Sequence, residues 1–413
     1  MNLFRSLSHR PFALLWGGQT TSRLGDSLYR IALAWWVLQE TGSAAAMGAV
    51  LIFSSVPMLI FLLVGGVATD RLPRLRVMLV SDLLSGAIIA LVALFAFTGW
   101  LEVWHVFIAS ILFGLVKAFF HPAYTATVPE ITPRELLPSA NSLTSLSQQG
   151  ASIFGPALAA GIIAAGGTPA AFALDALSFF ISAACILPIF KSNPALNLPP
   201  QAEEGQASGG GLRRVFGEIR EGFKAVIASP WLWITIALFG FVNAANSGPM
   251  STSLPYLVKV NLRQEVGVLG LFTSMSSAGY VVGALWLGRL TRIRRRGLFA
   301  YLSTFVTGLC VALFGLTLSI PLLAAAAFVN GLFTSFFGLI WTNTLQELVP
   351  RHLLGRVSSI DALGSFVLLP VGFAVAGWAT DLFGAPLVFL VGGGLTAALT
   401  LLALLHPAIR GLD

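Results

Sequence analysis

Residues 113–142 read FGLVKAFFHPAYTATVPEITPRELLPSANS, and residues 330–359 read NGLFTSFFGLIWTNTLQELVPRHLLGRVSS. The second stretch repeats the first at an offset of 217 positions. The polar residues and glycines shared at this offset, without a gap, are Glu130 with Glu347, Pro133–Arg134 with Pro350–Arg351, Gly114 with Gly331, Gly155 with Gly372 and Gly167 with Gly384. Apolar sequences match by chance in leucine or alanine, but they seldom share this set together. The chain is therefore predicted to consist of two related halves.

The composition indicates that lipid surrounds much of the chain. Of its 413 residues, 56% are hydrophobic and 10% are charged, whereas about 25% are charged in ordinary soluble domains. The net charge of +7 resides in short connectors between apolar runs, which argues against a folded nucleic-acid-binding face. The two cysteines, Cys185 and Cys310, lie inside apolar runs, so neither a disulfide framework nor a cysteine metal site is expected.

Twelve apolar runs are long enough to cross a bilayer, which takes about 20 residues. They cover roughly residues 12–38, 44–69, 76–98, 102–125, 137–165, 168–190, 230–257, 265–288, 298–318, 321–345, 357–381 and 385–406. Because a backbone in hydrocarbon must satisfy its own hydrogen bonds, each run should be a helix. The predicted fold is an all-α membrane protein with twelve transmembrane helices in two six-helix bundles.

The basic residues predict the orientation. With the N-terminus inside, 19 of the 24 Lys and Arg residues fall at the inner side, two fall in outer connectors and three lie within spans. Positive connectors favour the cytoplasmic side. We expect a multi-pass protein of a bacterial-type inner membrane with both termini in the cytoplasm.

A Pro/Gly/Ser-rich segment separates the halves. We predict an N-terminal bundle over residues 1–191, a cytoplasmic linker over 192–229 and a C-terminal bundle over 230–413. Within the linker, LRRVFGEIREGFKAVIA has apolar residues along one helical face and charges along the other, which is typical of a helix on a membrane surface. The alternative is a soluble linker helix. Such parallel halves are the mark of a transporter with a binding site between them.

With these features, the chain resembles the major facilitator superfamily over nearly its full length. Gly66, Asp70, Arg71 and Arg74 in GGVATDRLPRLR resemble that superfamily's motif between helices two and three, although Pro73 stands where glycine is usual. The resemblance implies that Asp70 docks near helix eleven, the predicted span 357–381, and an Arg in a closed cytoplasmic gate. In the second half Leu287 replaces the acid. We therefore expect this gate contact, which we call the latch, in the N-terminal half alone.

A finer resemblance concerns one branch of this superfamily. SRLGDSLYRIALAWWVLQETGS, PAYTATVPEITPRELLPSANSL and Phe154-Gly155-Pro156 are similar to macrolide-efflux and enterobactin-exporter proteins, and this similarity implies export. Gly150, Gly155, Pro156 and Gly161 loosely resemble the helix-five motif of antiporters. From the residues themselves, this set predicts a close helix crossing.

Helix one has a polar stripe in mid-span. Gln19, Arg23, Asp26 and Arg30 follow the spacing of one helical face. A charge at the bilayer centre costs at least about 2.5–3.5 kcal/mol, so these residues should face the protein interior and pair. We expect Asp26 to pair with Arg23 or Arg30 one turn away. Asp26 is our candidate proton carrier, and the alternative is a static ion pair.

Further polar groups line the predicted pathway. Lys117 in helix four either recognises an anionic group, controls local pKa values or bonds to a backbone carbonyl. Asn243 and Asn246 share a face of helix seven. The repeat mates of Asp26 and Lys117 are neutral, so the C-terminal wall should be polar and uncharged. The aromatic candidates for the wall are Phe119, Phe120, Phe336 and Phe337. Asp82 should have no special role, and Asp175 and Asp361 should bond to neighbouring helices.

The predicted function is proton-coupled export of a moderately hydrophobic, drug- or siderophore-like small molecule by alternating access. The alternatives are an importer or facilitator of a small metabolite, and a receptor or scaffold that has lost transport. An enzyme is not expected, since the chain has no P-loop, no HExxH and no Ser/His/Asp set. We expect no cofactor and no metal, a proton gradient as energy source, no nucleic-acid partner and a monomer in the bilayer.

Overall fold

The computed structural model describes residues 4–192, 212–288 and 295–412. These residues form helices joined by short connectors, and no β-strand occurs among them. The helices are α1 Arg10–Thr41, α2 Ala44–Arg71, α3 Arg74–Thr98, α4 Val103–Ile131, α5 Leu137–Ser192, α6 Leu212–Ala228, α7 Pro230–Gly248, α8 Leu254–Tyr256, α9 Val266–Leu287, α10 Arg296–Phe314, α11 Ile320–Leu348, α12 Arg351–Phe366, α13 Leu369–Phe383, α14 Ala385–Leu404 and α15 Pro407–Arg410. The predicted all-helical fold is confirmed.

In the described part of the chain, nine helical segments are long and apolar enough to cross a bilayer. A tenth arises if α6 and the bent segment that begins with α7 are taken as one span. One of the nine covers Arg134–Lys191, 58 residues, and includes a break at Gly167. This length suits two passages, as the predicted spans 137–165 and 168–190 require. Helix α1 is 32 residues long but is not among the nine segments, because its polar stripe lowers its hydropathy.

The helices form two compact units. The first unit comprises the described residues of 4–42 and 49–192, and in it α5 packs along α1 and α3. The second unit comprises residues 43–48, 212–288 and 295–412, where α9 packs on α11 and α10 on α14. The first turn of α2 thus groups with the second unit. Most of the predicted linker, residues 193–211, lies outside the described residues.

Glycines permit close helix crossings at repeat-related positions. A Cβ on Gly114 of α4 would overlap the carbonyl oxygen of Ser54 on α2, and one on Gly331 of α11 would overlap that of Ser276 on α9. Glycine at these positions lets the two backbones touch.

The predicted crossing motif in helix five is corrected in part. A Cβ on Gly155 would overlap the side chain of Ser27 on α1, and Pro156 beside it is buried. Nothing lies within 4 Å of the same position on Gly150 or Gly161. Two of the three glycines therefore face open space, because their spacing does not keep them on the face that meets α1.

Helix α6 packs against other helices of the second unit. Gly222 packs against Arg356 and Ile360 of α12, and Val226 is buried in an apolar cluster with residues of α7, α11 and α12. Phe223 and Ile227 remain 53% and 57% exposed. Part of the apolar face predicted for a surface helix thus packs against protein, and part of it remains exposed.

Candidate functional site

A cavity of about 390 Å³ with many polar residues in its wall lies within the first unit, mainly between α1, α3, α4 and α5. Its wall includes Gln19, Ser22, Arg23 and Asp26 of α1, Asp82 and Ser85 of α3, Lys117, Phe120, His121 and Tyr124 of α4, and Thr144, Gln148 and Phe179 of α5. Four predicted pathway residues, Gln19, Arg23, Asp26 and Lys117, therefore meet in one cavity. Polar groups that converge in a concave site are the usual form of a small-molecule site.

Asp26 and Lys117 form an ion pair across the cavity wall. Lys117 Nζ donates to both carboxylate oxygens, 2.8 Å from Oδ2 and 3.0 Å from Oδ1. The ammonium also lies 4.9 Å from the ring centroid of Phe113 and 5.4 Å from that of Phe179. The predicted pairing with Arg23 or Arg30 is therefore wrong, because spacing along α1 ignores the cation that α4 brings from the side.

The two arginines of α1 have other surroundings. Arg23 Nη1 donates to the carbonyl oxygen of Thr144 at 3.2 Å, and its guanidinium lies over the Tyr124 ring at 5.2 Å from the centroid. Among the described residues, no carboxylate pairs with Arg23. Arg30 is exposed and does not line this cavity, so its predicted part in the pathway is corrected.

Asp82 is a cavity residue that sequence reasoning missed. Its side chain is 1% exposed, and its Oδ2 accepts a hydrogen bond from Ser182 Oγ at 2.6 Å. Gln19 Nε2 donates to Ser182 Oγ at 2.8 Å and lies 3.5 Å from the same Asp82 oxygen. The signal was present, because an acid within an apolar span is costly unless it serves a purpose.

The other two acids within spans differ from each other. Asp361 Oδ2 accepts from Trp341 Nε1 on α11 at 2.9 Å, which is the predicted bond to a neighbouring helix. Asp175 is fully buried, and its Oδ1 lies 3.4 Å from Ser178 Oγ on its own helix, while its Oδ2 has no partner. The predicted bond between helices is therefore wrong for Asp175.

The second unit contains a cavity of about 270 Å³. Asn243 and Asn246 line it, and Asn243 Nδ2 donates to the carbonyl oxygen of Ser365 at 2.9 Å. Hydroxyl groups of Thr304, Thr307, Thr334 and Tyr280 complete much of its polar wall. Asp361 also lines it. The expectation of a neutral wall is corrected, since a carboxyl group is present there.

Each cavity has a stacked aromatic pair at repeat-related positions. The rings of Phe120 and Tyr124 are 6.1 Å apart with planes 9° from parallel, and those of Phe337 and Trp341 are 6.1 Å apart at 12°. The offset of 217 relates Phe120 to Phe337 and Tyr124 to Trp341.

The other two aromatic candidates do not line these cavities. Phe336 is 1% exposed and packs among Trp286, Phe299 and Phe333, and Phe119 is absent from the wall of the first cavity. One of each consecutive pair of phenylalanines was therefore predicted correctly, because neighbours on a helix point about 100° apart.

The predicted gate motif lies at the end of α2 and the start of α3. Arg71 is exposed, and Arg74 Nη1 pairs with Glu130 Oε2 of α4 at 3.2 Å. The side chain of Asp70 and the environment of Gly66 lie outside the described part of the structure, so the latch stays a prediction. In the second unit Arg296 Nη2 pairs with Glu347 Oε2 of α11 at 2.6 Å. In each half, an arginine at the start of α3 or α10 thus pairs with a glutamate at a repeat-related position.

Two models of protein families match the chain. The model described as a transmembrane secretion effector matches residues 2–322, and the model described as the Major Facilitator Superfamily matches residues 241–410. The first match covers more than half of the chain.

The chain is also similar to curated proteins over most of its length. It is 24% identical to macrolide efflux protein A of Streptococcus pyogenes over 408 residues, which is 97% of each chain. It is 27% identical to multidrug efflux pump Tap of Mycolicibacterium fortuitum over 409 residues, 98% of this chain and 97% of that protein. Its identity with enterobactin exporter EntS of Escherichia coli is 25% over 380 residues, 90% of this chain and 88% of the exporter.

Solved structures share the fold at low identity. A POT family transporter in complex with a thioalcohol-conjugated peptide has a TM-score of 0.73 and 12% identity, with 96% of each chain covered. A bacterial homologue of the iron transporter ferroportin in an inward-facing state also has a TM-score of 0.73 and 12% identity, with 95% of this chain and 98% of that chain covered.

Proposed function

We propose an export function from one premise: the chain belongs to the major facilitator superfamily, through its transmembrane secretion effector family. The resemblance read from the sequence is thereby confirmed. The protein is a multi-pass membrane transporter rather than an enzyme. We propose that it exports a moderately hydrophobic small molecule and that proton flow drives the export.

Export is supported by the named relatives, which are an efflux protein, an efflux pump and an exporter. Their identities of 24% to 27% extend over at least 88% of each chain, so the similarity concerns the whole transporter. The proposed setting is a bacterial inner membrane with both termini in the cytoplasm and a monomeric transporter.

The observation that carries proton coupling is the ion pair of Asp26 and Lys117 in the wall of a cavity of about 390 Å³. Both side chains are about a quarter exposed, Asp26 at 25% and Lys117 at 26%. A proton on Asp26 would neutralise the acid and remove the attraction that holds Lys117. Lys117 would then be free to seek another acceptor, and this links proton uptake to a rearrangement of the cavity wall.

Neighbouring polar groups support a path for protons along the cavity wall. Gln19, Ser182 and Asp82 form a chain of hydrogen-bonding groups beside the ion pair, and His121 lines the same cavity. Groups of this kind within a span are typical of proton and substrate paths. We propose no cofactor beyond the proton gradient.

The test is transport in proteoliposomes with an imposed pH gradient. A panel of drugs and siderophores is first screened by thermal stabilisation of the purified protein, and the hits are then followed across the membrane together with proton flux. We expect the wild type to exchange substrate for protons and the Asp26→Asn variant to lose proton flux. Glu221→Gln is the control, because Glu221 pairs with Arg356 at the surface of the second unit.

Two outcomes would contradict the proposal. Unchanged proton flux in Asp26→Asn removes Asp26 from coupling. Substrate movement that ignores the pH gradient in the wild type makes the protein a facilitator instead.

A further inference from the structure

The first cavity has one cation that no acid neutralises. Lys117 is paired with Asp26, whereas Arg23 donates to a backbone carbonyl and contacts the face of Tyr124. Within the described residues, no carboxylate forms an ion pair with Arg23. An arginine in a span normally finds an acid, because its charge is costly there. Arg23 therefore has unused donors that line a cavity.

An aromatic surface continues from this guanidinium. Tyr124 lies under Arg23, and Phe120 stacks on Tyr124 one turn earlier on α4. Rings contribute large contact area at low entropic cost, and a guanidinium offers a planar fork that matches a carboxylate. The cavity thus presents a cation and a flat apolar surface side by side.

The acids of the same cavity do not compete for Arg23. Asp26 gives both oxygens to Lys117. Asp82 Oδ2 accepts from Ser182 and is close to Gln19, so its contacts are with neutral donors of α1 and α5. Asp82 is 1% exposed, whereas Arg23 is partly exposed, so the charge without an ion-pair partner that faces the open space is that of Arg23.

The second cavity provides a comparison within the same chain. Its aromatic pair, Phe337 and Trp341, has the same spacing and tilt. The repeat mate of Arg23 is Gly240, and Trp341 donates to Asp361. The aromatic element is thus duplicated, while the cation occurs in the first unit.

We propose that the first cavity binds an aromatic ring that carries an anionic group, with Arg23 on the anion and Phe120 and Tyr124 on the ring. The proposal rests on the proposed function in taking this molecule as the exported substrate. It favours aromatic acids over lipophilic cations of the same size.

The test compares three ligands of one shape and different charge. They are 2-naphthoate, the neutral 2-naphthamide and the cationic 2-naphthylmethylammonium, titrated calorimetrically into the full-length protein in nanodiscs. We expect the anion to bind more tightly than the amide and the cation to bind most weakly. In Arg23→Gln the preference of anion over amide should fall about tenfold, since hydrogen bonds to charged groups contribute more than neutral ones.

Two further variants separate charge from folding. Arg23→Lys retains the charge and should retain the order of the three ligands at lower affinity. Arg76→Gln is the matched control, because Arg76 also lies over a ring, that of Phe190 at 5.9 Å, and does not line the cavity. Its ligand order should equal that of the wild type. All variants are checked for thermal unfolding and a single elution peak.

The outcomes distinguish this proposal from the proposed function. Binding of none of the three ligands, a preference for the cation, or an unchanged order in Arg23→Gln would overturn it. If the predicted order of the three affinities is found and depends on Arg23, but proteoliposomes export none of the ligands, the binding site is supported and the export function is contradicted. If drugs are exported with protons while Arg23→Gln changes nothing, export stands and this proposal falls.

Discussion

Gly167 and Gly384, which are 217 residues apart, adopt the same unusual backbone conformation. Gly167 has φ 74° and ψ 176°, and Gly384 has φ 84° and ψ 151°. Each stands two residues before a proline, and each lies where one long helix gives way to the next. This region of backbone angles is essentially restricted to glycine. The internal repeat therefore preserves a turn geometry as well as a sequence.

Alanine at either glycine should destabilise its own unit. The cost should be about 1–3 kcal/mol, because a side chain is strained at these angles. Gly167→Ala should cost more, since its Cβ would lie 3.2 Å from Pro169 Cδ, against 3.7 Å from Pro386 Cδ for Gly384→Ala. Thermal unfolding in detergent measures both. Gly161→Ala is the control in α5, where no atom lies within 4 Å of the new Cβ; an equal loss there would contradict the argument.

The repeat and the hydropathy made most of the fold predictable. Shared glycines such as Gly114 and Gly331 indicated the repeat, and the structure places both at helix crossings that the sequence analysis had not predicted. The packing of α6 on α12 was not predictable, since an amphipathic face fits lipid and protein equally well. The environments of Gly150 and Gly161 were also missed, because spacing does not tell which neighbour a helix face meets.

The ion pair of Asp26 and Lys117 can be tested by a double-mutant cycle. Asp26→Asn or Lys117→Met alone leaves one charge in the cavity without its partner, and should lower the free energy of unfolding by about 1–3 kcal/mol. The double variant removes both charges and should recover part of that loss. Thermal and denaturant unfolding in one detergent give the four values. Effects that add within about 0.5 kcal/mol would mean that the pair is not coupled.

The sequence indicated several of the polar residues that enter the first cavity, although not Asp82, and it did not indicate how they pair. The prediction that Gln19, Arg23 and Asp26 line a cavity was correct, because charged residues on one helix face avoid lipid. It could not choose between a partner on the same helix and Lys117 on another, since that choice depends on how α1 packs against α4. Arg30 continues the same stripe yet is exposed, because the cavity does not extend that far along α1.

Asp361 should act on structure rather than on coupling. Asp361→Ala leaves the Trp341 indole N–H without its acceptor, which should lower stability by about 1–3 kcal/mol and shift the tryptophan fluorescence. Asp361→Asn retains an oxygen acceptor and should restore most of both. Proton flux in proteoliposomes should remain in either variant that folds. A loss of proton flux with normal stability would instead give Asp361 a part in transport.

Asp82 should affect the pH dependence of export. Asparagine at this position still offers an oxygen to Ser182, so Asp82→Asn should fold and unfold like the wild type. An amide cannot take up a proton, however, so a contribution of Asp82 to proton uptake beside Asp26 would be lost in this variant. We expect export by Asp82→Asn to vary less steeply with pH than export by the wild type, as measured by initial rates in proteoliposomes between mildly acidic and mildly alkaline buffers.

The matched comparison is Ser182→Ala, which removes the donor and leaves the carboxyl group. The carboxyl group can then still take up a proton, but it lacks the hydrogen bond from Ser182. The pH profile of Ser182→Ala should therefore remain steep, while that of Asp82→Asn flattens. If both variants keep the wild-type profile, Asp82 serves packing through Ser182 and Gln19, and Asp26 is left as the carboxyl group of this cavity that can couple protons to export.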